Sequence, residues 1–333
     1  MNSISVIIPS NHSHNELMNV VRALCEQTIK PFEIIIVDSA FAIGECPAEI
    51  KMVCNYSEID VIYVRCEGAL PGKARNIGIG AASGELIAFI DVQTIPRAHW
   101  LEVSQNQVTN HNTLGIWGST CFSASTYFEK LVRDGFYGLL PRKTLPGSIF
   151  KREVFEKSGQ FIDWARAGED TEWILRLTVL RIPVFQPSEA FTDYIGLIDI
   201  NLIKLIKKWL RNYKSSCELP HFFPQKLFLW FTLYPMLVLI AFNWNYLIAD
   251  WRMDSLLYIS HVTKIVATLP FLTYLILRGF VLPLRRGVSL WSLFPFRFIA
   301  IALICFLADT VKILVLTDPS KLPFKIGDAE KNS

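Results

Sequence analysis

Apolar and polar residues divide the chain into two parts with different patterns. Residues 1–195 contain short apolar runs separated by charged segments, whereas residues 226–317 are dominated by Leu, Ile, Val and Phe. The first pattern predicts a globular domain, and the second predicts helices that lie in a membrane. We therefore expect a domain over 1–195, an amphipathic helix with a linker over 196–225, two to three transmembrane helices over 226–317 and a polar tail over 318–333.

Four runs in the first part are apolar without the alternation of a half-exposed strand. They read SVIIPS, EIIIVD, VIYV and LIAFID. Segments with helical spacing lie between them, among them HSHNELMNVVRALCEQ and GKARNIGIGAAS. Strands that are apolar on both faces and are separated by helices predict a parallel sheet covered on both sides. The sequence thus predicts an α/β fold with a mostly parallel sheet.

Polar residues follow several of these strands directly. Pro9 and Ser10 end the first strand, Asp38 ends the second and Asp91 ends the fourth. Because ligands of parallel sheets bind at the carboxyl ends of the strands, we expect these residues on one rim of the sheet. For each aspartate alone, a turn or helix-capping role is the alternative.

A cationic segment precedes the fourth strand. The sequence PGKARNIGIG at 71–80 contains Lys73 and Arg75, and it matches neither a Walker loop nor the GxGxxG pattern. Cations at a helix start near the rim suit a diphosphate, because an arginine can bind two phosphate oxygens at once. A solvated helix face is the alternative.

Two acidic residues stand side by side in AGEDTEW at 167–173. Glu169 and Asp170 open a segment with helical character that continues through Trp173. Acids in a first helical turn often serve only as partners of the helix dipole. The alternative is a general base, a carboxylate that takes the proton from an attacking hydroxyl.

The order of these motifs resembles family 2 glycosyltransferases with the GT-A fold, over roughly residues 1–190. The motifs that carry the resemblance are SVIIPS, EIIIVDSA, KARNIGIGAASGELIAFID, PGSIFKREVFEKSGQF and GEDTEWILRL. The resemblance implies that a nucleotide-diphosphate sugar binds at the rim. Its expected contacts, which include the cations of 71–80 and an aromatic residue after the acidic pair, are Pro9, Ser10, Asp38, Lys73, Arg75, Asn76, Asp91 and Trp173.

The resemblance also implies a reaction. Asp170, with Glu169 beside it, would deprotonate an acceptor hydroxyl that attacks the anomeric carbon, and a single displacement would invert the configuration. The expected acceptor is a lipid-linked or membrane-proximal glycan, as in surface polysaccharide or glycolipid biosynthesis. A polyprenyl-phosphate glycosyltransferase is the close alternative, because terminal membrane spans suit it. No Gln-x-x-Arg-Trp motif follows the acidic pair, which argues against a processive synthase.

One position departs from the family pattern. Asp91-Val92-Gln93 stands where the family has Asp-x-Asp, whose last carboxylate usually holds Mn²⁺ or Mg²⁺. Glutamine brings an oxygen without a charge, whereas hard cations favour charged oxygen ligands. Three hypotheses stay open. Asp91 could hold the metal with weak help from Gln93, or Lys73 and Arg75 could stabilise the leaving group in its place. The protein could also be a non-catalytic membrane assembly protein.

Basic and apolar residues separate onto two faces of NLIKLIKKWLRNYK at 201–214. A basic amphipathic helix that contains Trp predicts a position at a membrane surface. Packing against the globular domain is the alternative. The apolar face comprises Leu202, Leu205, Ile206, Trp209, Leu210 and Tyr213, and the basic face comprises Lys204, Lys207, Lys208, Arg211 and Lys214.

Three apolar segments follow this helix. Residues 227–249 carry no charge and are long enough to cross the roughly 30 Å hydrocarbon layer of a bilayer. Segments at about 257–284 and 290–316 contain charges, so two or three spans are expected. Basic residues at 204–214 and at Arg285–Arg286 indicate the cytoplasmic side. We expect a multi-pass protein of the inner (plasma) membrane with a cytoplasmic catalytic domain.

Net charge and cysteine content argue against nucleic-acid-binding, disulfide-rich and zinc-binding proteins. A net charge of +3 over 333 residues does not indicate a nucleic acid polymer as a partner. The seven cysteines are an odd number and form no CxxC pair, which argues against a disulfide framework and a zinc site. Reduced thiols in a cytosolic core are the expected state.

Overall fold

The computed structural model describes residues 3–11, 13–40, 45–216, 218–219 and 225–316. These residues form two compact units. The first contains the described residues up to Arg133 together with Leu139–Leu219, and the second contains Asp134–Gly138 and the described residues beyond Leu219. The polar tail expected over 318–333 lies outside the described residues, and the expected domain boundaries stay predictions.

One sheet of nine strands organises the first unit, in the order β3-β2-β1-β4-β7-β6-β9-β5, with β8 paired to β6. Strands β1 to β4 pair in parallel, and β7 runs antiparallel to both β4 and β6. The strands are β1 Ile4–Ser10, β2 Glu33–Asp38, β3 Asp60–Arg65, β4 Leu86–Phe89, β5 Thr94–Pro96, β6 Gly115–Phe122, β7 Arg142–Lys151, β8 Val184–Phe185 and β9 Thr192–Tyr194.

Helices alternate with the parallel strands, as the apolar pattern predicts. Two separate clusters of buried side chains lie against the sheet, one around Val20 and Val21 of α1 and the other around Ala74 and Trp173. The predicted α/β class with a mostly parallel sheet is confirmed. The helices up to residue 216 are α1 His14–Cys25, α2 Ala48–Tyr56, α3 Pro71–Ala81, α4 Trp100–Asn110, α5 Tyr127–Phe136, α6 Glu153–Ser158, α7 Glu169–Val179 and α8 Leu202–Ser216.

A buried carboxylate joins the amino ends of three neighbouring strands. Glu33 at the start of β2 accepts hydrogen bonds from the Ser5 hydroxyl of β1 and from the backbone N–H and hydroxyl of Ser83, just before β4. Burial raises the pKa of Glu33, but these hydrogen bonds outweigh burial and leave it below its ordinary value. Strands β1 and β2 pair in one register, which places Ser5 opposite Glu33 at their amino ends and Ser10 opposite Asp38 at their carboxyl ends.

The second unit is helical. Two of its segments, Val262–Arg285 and Arg297–Val315, are long and apolar enough to cross a membrane by length and composition. The described apolar stretch of α9 is the shorter Met236–Leu247, so the number of spans stays a prediction. The helical elements are α9 Gln225–Leu247, α10 Val262–Ile276, a π-helical turn Leu277–Val281, α11 Leu282–Arg285, α12 Leu290–Leu293 and α13 Arg297–Leu316.

Three charged residues inside these apolar helices, Arg278, Arg297 and Asp309, form ion pairs. Arg278 forms an ion pair with Asp309 at 3.0 Å, and the Tyr274 hydroxyl donates to the same carboxylate. Arg297 pairs with Asp134, whose side chain is almost fully buried. Pairing of this kind lowers the cost of placing charge in apolar surroundings.

We expect Glu33→Ala to lower the free energy of unfolding by about 1–3 kcal/mol at neutral pH, because the buried Ser5 hydroxyl and the donors of Ser83 lose their acceptor. The pKa of Glu33 is depressed in the folded state. Its stabilisation is therefore present above the unfolded pKa and is lost as the pH falls through the folded pKa. Urea denaturation followed by tryptophan fluorescence should show the difference from wild type shrinking at acid pH. Glu85→Ala, at an exposed position nearby, is the control. An equal effect of both variants would contradict a stabilising role for the hydrogen bonds of Glu33.

Candidate active site

A cleft of about 450 Å³ opens at the carboxyl ends of the parallel strands in the first unit. Pro9 and Ser10 reach it from the end of β1, Ser39 follows β2, and Asp91 follows β4. The strand ends therefore form the rim that the sequence predicts. The charged side chains that line the cleft are Asp91, Glu169, Asp170, Arg75, Arg166, Lys208 and Arg211.

Arg75 is the centre of the charge arrangement. Its side chain is only 4% exposed, and it donates to Glu169 at 2.6 Å and to Asp91 at 3.0 Å. Burial lowers the pKa of Arg75, but the charges of Asp91 and Glu169 outweigh burial and raise it above its ordinary value. Arg75 thus stays charged and ties α3 to the end of β4 and to the start of α7.

Glu169 and Asp170 have different surroundings despite their adjacency. Glu169 is buried and paired with Arg75; burial raises its pKa above the ordinary value, and the charge of Arg75 opposes this rise. Asp170 is partly exposed and uses one carboxylate oxygen to accept from the backbone N–H and the hydroxyl of Thr171. Among the described residues, Asp170 forms no ion pair. The other two cleft carboxylates, Asp91 and Glu169, both pair with Arg75.

Asp38 ends β2 at the rim but is not among the residues that line the cleft. One of its oxygens accepts from the backbone N–H of Ala40 at 2.9 Å, and the other accepts from the Tyr63 hydroxyl at 2.6 Å. Burial, together with Asp38, raises the pKa of Tyr63, so this hydroxyl keeps its proton. The neighbouring Ser39 is the residue of this turn that lines the cleft.

Three further residues predicted to contact the nucleotide sugar do not line the cleft either. Lys73 is exposed; it lies two positions before Arg75, and residues at that spacing point to different sides of a helix. The Asn76 side chain exchanges hydrogen bonds with the backbone of Phe161. Trp173 is fully buried, stacks on Phe155 and donates to the Ser158 hydroxyl. Asn76 and Trp173 therefore hold the fold together at these positions.

Helix α8 supplies cleft residues that the sequence reasoning placed at a membrane surface. Leu205 and Trp209 are buried in the first unit, while Lys208 and Arg211 line the cleft. Packing of this helix against the globular domain, the alternative weighed above, accounts for these four residues. The spacing of three between Lys208 and Arg211 is a signal for a common face. Tyr194, which also lines the cleft, has no comparable signal in the sequence.

The residues at the Asp-x-Asp position do not fit a divalent metal held by the protein. Asp91 already accepts from Arg75, and the Gln93 amide oxygen accepts from the Tyr194 hydroxyl at 3.0 Å. Across the part of the chain that the structure describes, no three Asp, Glu, His or Cys side chains gather as a metal site. One engaged carboxylate and one engaged amide make a weak donor set for Mg²⁺ or Mn²⁺.

Comparison with known proteins gives the family of this domain. Residues 5–161 match the family model described as Glycosyl transferase family 2, and this segment is a domain of that family. The resemblance seen in the sequence is thereby confirmed.

Several relatives are glycosyltransferases by name. The chain is 36% identical over 90 residues to amylovoran biosynthesis glycosyltransferase AmsB of Erwinia amylovora, which covers 27% of this chain and 30% of that protein. It is 22% identical over 186 residues to glycosyltransferase AglE of Haloferax volcanii, over 53% of this chain and 61% of AglE. The chain therefore spans less than two thirds of the length of these relatives.

Solved structures of S. aureus TarS 1–349 resemble this chain at a low level. The match is 14% identical and covers 93% of this chain and 90% of TarS 1–349, with TM-scores of 0.44 and, for the complex with UDP, 0.46.

We expect Arg75→Gln to lower the free energy of unfolding by about 3–5 kcal/mol, because buried Glu169 loses its compensating cation. In this variant the folded-state pKa of Glu169 rises further above its unfolded value. The stability that protonated Glu169 contributes is then present at low pH and lost as the pH rises. The loss of unfolding free energy relative to wild type should therefore be larger near pH 8 than near pH 5. Urea denaturation at both pH values measures it.

Lys157→Gln is the control for Arg75→Gln, because it breaks an exposed ion pair with Glu153 and should cost less than about 1 kcal/mol. A deficit of Arg75→Gln that matches this control, or that is the same at both pH values, would contradict a compensating role of Arg75.

Proposed function

We propose that the protein is an inverting glycosyltransferase that moves a sugar from a nucleotide-diphosphate sugar to a hydroxyl of a lipid-linked or membrane-proximal glycan. The observation that carries the proposal is the carboxylate of Asp170, which forms no ion pair with any described residue and lines a cationic cleft at the strand ends of a family 2 domain. A surface polysaccharide or a glycolipid is the product class that we infer.

The lining of the cleft suits each part of a nucleotide-diphosphate sugar. Pro9, Ser10 and Ser39 offer a polar rim at the ends of β1 and β2, where a nucleoside binds in open α/β sheets. The cations on the α8 side of the cleft suit the diphosphate, since charge-assisted hydrogen bonds to phosphate are strong. The sugar then lies between the diphosphate and the acidic start of α7.

The reaction follows from the different surroundings of the two acids. Asp170 accepts the proton of the acceptor hydroxyl, whose oxygen forms a bond to the anomeric carbon. The bond from this carbon to the diphosphate oxygen breaks, and its electron pair leaves with the nucleoside diphosphate. Glu169 does not take the proton, because Arg75 holds it in a buried ion pair. It fixes the start of α7 and hence the position of Asp170.

The acceptor class rests on the second unit. Apolar side chains of α10, including Ile265, Leu269 and Phe271, are more than half exposed, and lipid would cover them. Together with the basic residues at 204–214 and Arg285–Arg286, this supports a multi-pass protein of the inner membrane whose catalytic domain faces the cytoplasm.

We expect Asp170→Asn to reduce sugar transfer by roughly 10²–10⁴-fold while nucleoside diphosphate affinity stays unchanged, because the amide cannot accept the proton. Calorimetry with UDP, GDP, CDP and dTDP on detergent-solubilised protein identifies the nucleotide, and product analysis with the matching nucleotide sugars measures transfer. Asp163→Asn, at an exposed position outside the cleft lining, is the matched control.

Undiminished transfer by Asp170→Asn would remove this residue from the base role. A product in which the sugar is joined directly to a polyprenyl phosphate would replace the glycan acceptor by a lipid phosphate. Failure of the wild type to bind any of the four nucleotides would contradict the proposed function itself.

We expect the full chain to remain in the membrane fraction after an alkaline carbonate wash and to be released by detergent, because its apolar helices would be exposed to water otherwise. Immunoblotting of the fractions measures this. Release by carbonate alone would contradict membrane spanning and would favour peripheral attachment.

A further inference from the structure

A chain of hydrogen bonds connects the position that departs from the family pattern to the basic helix α8. The Tyr194 hydroxyl donates to the amide oxygen of Gln93 at 3.0 Å, and the Lys208 ammonium donates to the Tyr194 hydroxyl at 3.1 Å. All three residues line the cleft. The uncharged Gln93 therefore supports, through Tyr194, a cation at the cleft wall.

The backbone passes close to this chain and leaves no room for a side chain. A Cβ atom on Gly196 would lie 2.3 Å from the Tyr194 hydroxyl oxygen and 2.4 Å from the Gln93 amide oxygen. Both contacts are far below van der Waals distance, so a larger residue would push the two side chains apart. Backbone bonding adds to the constraint, since the N–H of Ile195 donates to the carbonyl of Gln93.

The direction of the hydrogen bonds is set by the protonation of Tyr194. Burial, and then the charge of Asp91, raises the pKa of Tyr194 to about 12, so the hydroxyl keeps its proton. It can donate to Gln93 while its lone pair accepts from Lys208. A carboxylate at position 93 would add a negative charge to this chain and weaken the pull of Lys208 on an anionic ligand.

Arg75 and the two cations of α8 differ in whether another residue already compensates their charge. The charge of Arg75 is already compensated by Asp91 and Glu169. Among the described residues, Lys208 contacts only Tyr194, whose hydroxyl and ring are uncharged, and Arg211 forms no hydrogen bond or ion pair with another residue there. Lys208 and Arg211 are therefore the cations of α8 that can meet an anion in the cleft.

We propose that Lys208 and Arg211 bind the diphosphate of the nucleotide donor and take up the charge of the leaving group. Gln93 and Tyr194 act as positioning residues for Lys208. The proposal rests on the proposed function and assigns its leaving-group site to α8 instead of to Lys73 and Arg75. Diphosphate binding by this pair needs no divalent metal.

The test is calorimetry on the detergent-solubilised full chain with the nucleoside diphosphate that the panel identifies, and with the corresponding nucleoside. Titrations are run in EDTA, in Mg²⁺ and in Mn²⁺. We expect the wild type to bind the diphosphate in EDTA. Lys208→Gln and Arg211→Gln should each weaken diphosphate binding by roughly tenfold to a hundredfold and leave nucleoside binding unchanged.

The matched control is Lys207→Gln, which removes the same charge from an exposed position on the same helix outside the cleft lining. Tyr194→Phe should weaken diphosphate binding less than Lys208→Gln does. In the Tyr194→Phe background, Gln93→Leu should have no further effect on diphosphate binding, because both residues act through Lys208. Additive losses from these two variants would overturn their positioning role.

Two results would overturn the proposal while the proposed function stands. One is diphosphate binding that EDTA abolishes, and the other is an equal loss in Lys208→Gln and Lys207→Gln. A wild type that binds none of the four nucleotides under any condition would instead reject the proposed function. Arg211 is exposed, so Arg211→Gln tests the proposal even if a substitution at Lys208 disturbs folding.

Discussion

The arrangement of this site depends on one buried guanidinium. Arg75 is almost fully removed from water, and a buried charge is tolerated only when opposite charges and hydrogen bonds compensate it. Asp91 and Glu169 provide that compensation from a strand end and a helix start. Three elements of the sheet rim are thereby held together, and two of the three cleft carboxylates are occupied. Asp170 remains as the cleft carboxylate that forms no ion pair in the described part of the chain.

The same interaction limits what else the cleft can do. Because Asp91 pairs with Arg75 through one oxygen and the Gln93 amide oxygen accepts from Tyr194, the position at which the family usually holds a metal offers a weak set of ligands. The cations of α8 lie in the lining instead. An amide at position 93, where the family has a carboxylate, is consistent with these charges. Gln93 is linked through Tyr194 to the cation of Lys208, and a neutral amide leaves that positive charge uncompensated.

The differences between the predicted and the observed site have simple geometric causes. Helical periodicity turns Arg75 inward and Lys73 outward, although both belong to one cationic motif. Trp173 faces the core with Leu177, one turn further along α7, because the apolar stripe of a helix packs against the sheet. Motif membership alone did not separate the residues that contact the cleft from those that support it.

The local pattern of the sequence determined the buried strands, their polar ends and the acidic pair, since apolar runs and strand ends are properties of neighbouring residues. It also determined the apolar helices near the carboxyl end. Only the tertiary structure decided which charges are paired and which face the cleft. Arg75 meets Glu169 across 94 positions, and Tyr194 meets Gln93 across 101. Such pairings depend on the packing of distant elements and on the desolvation it imposes, which no local pattern encodes.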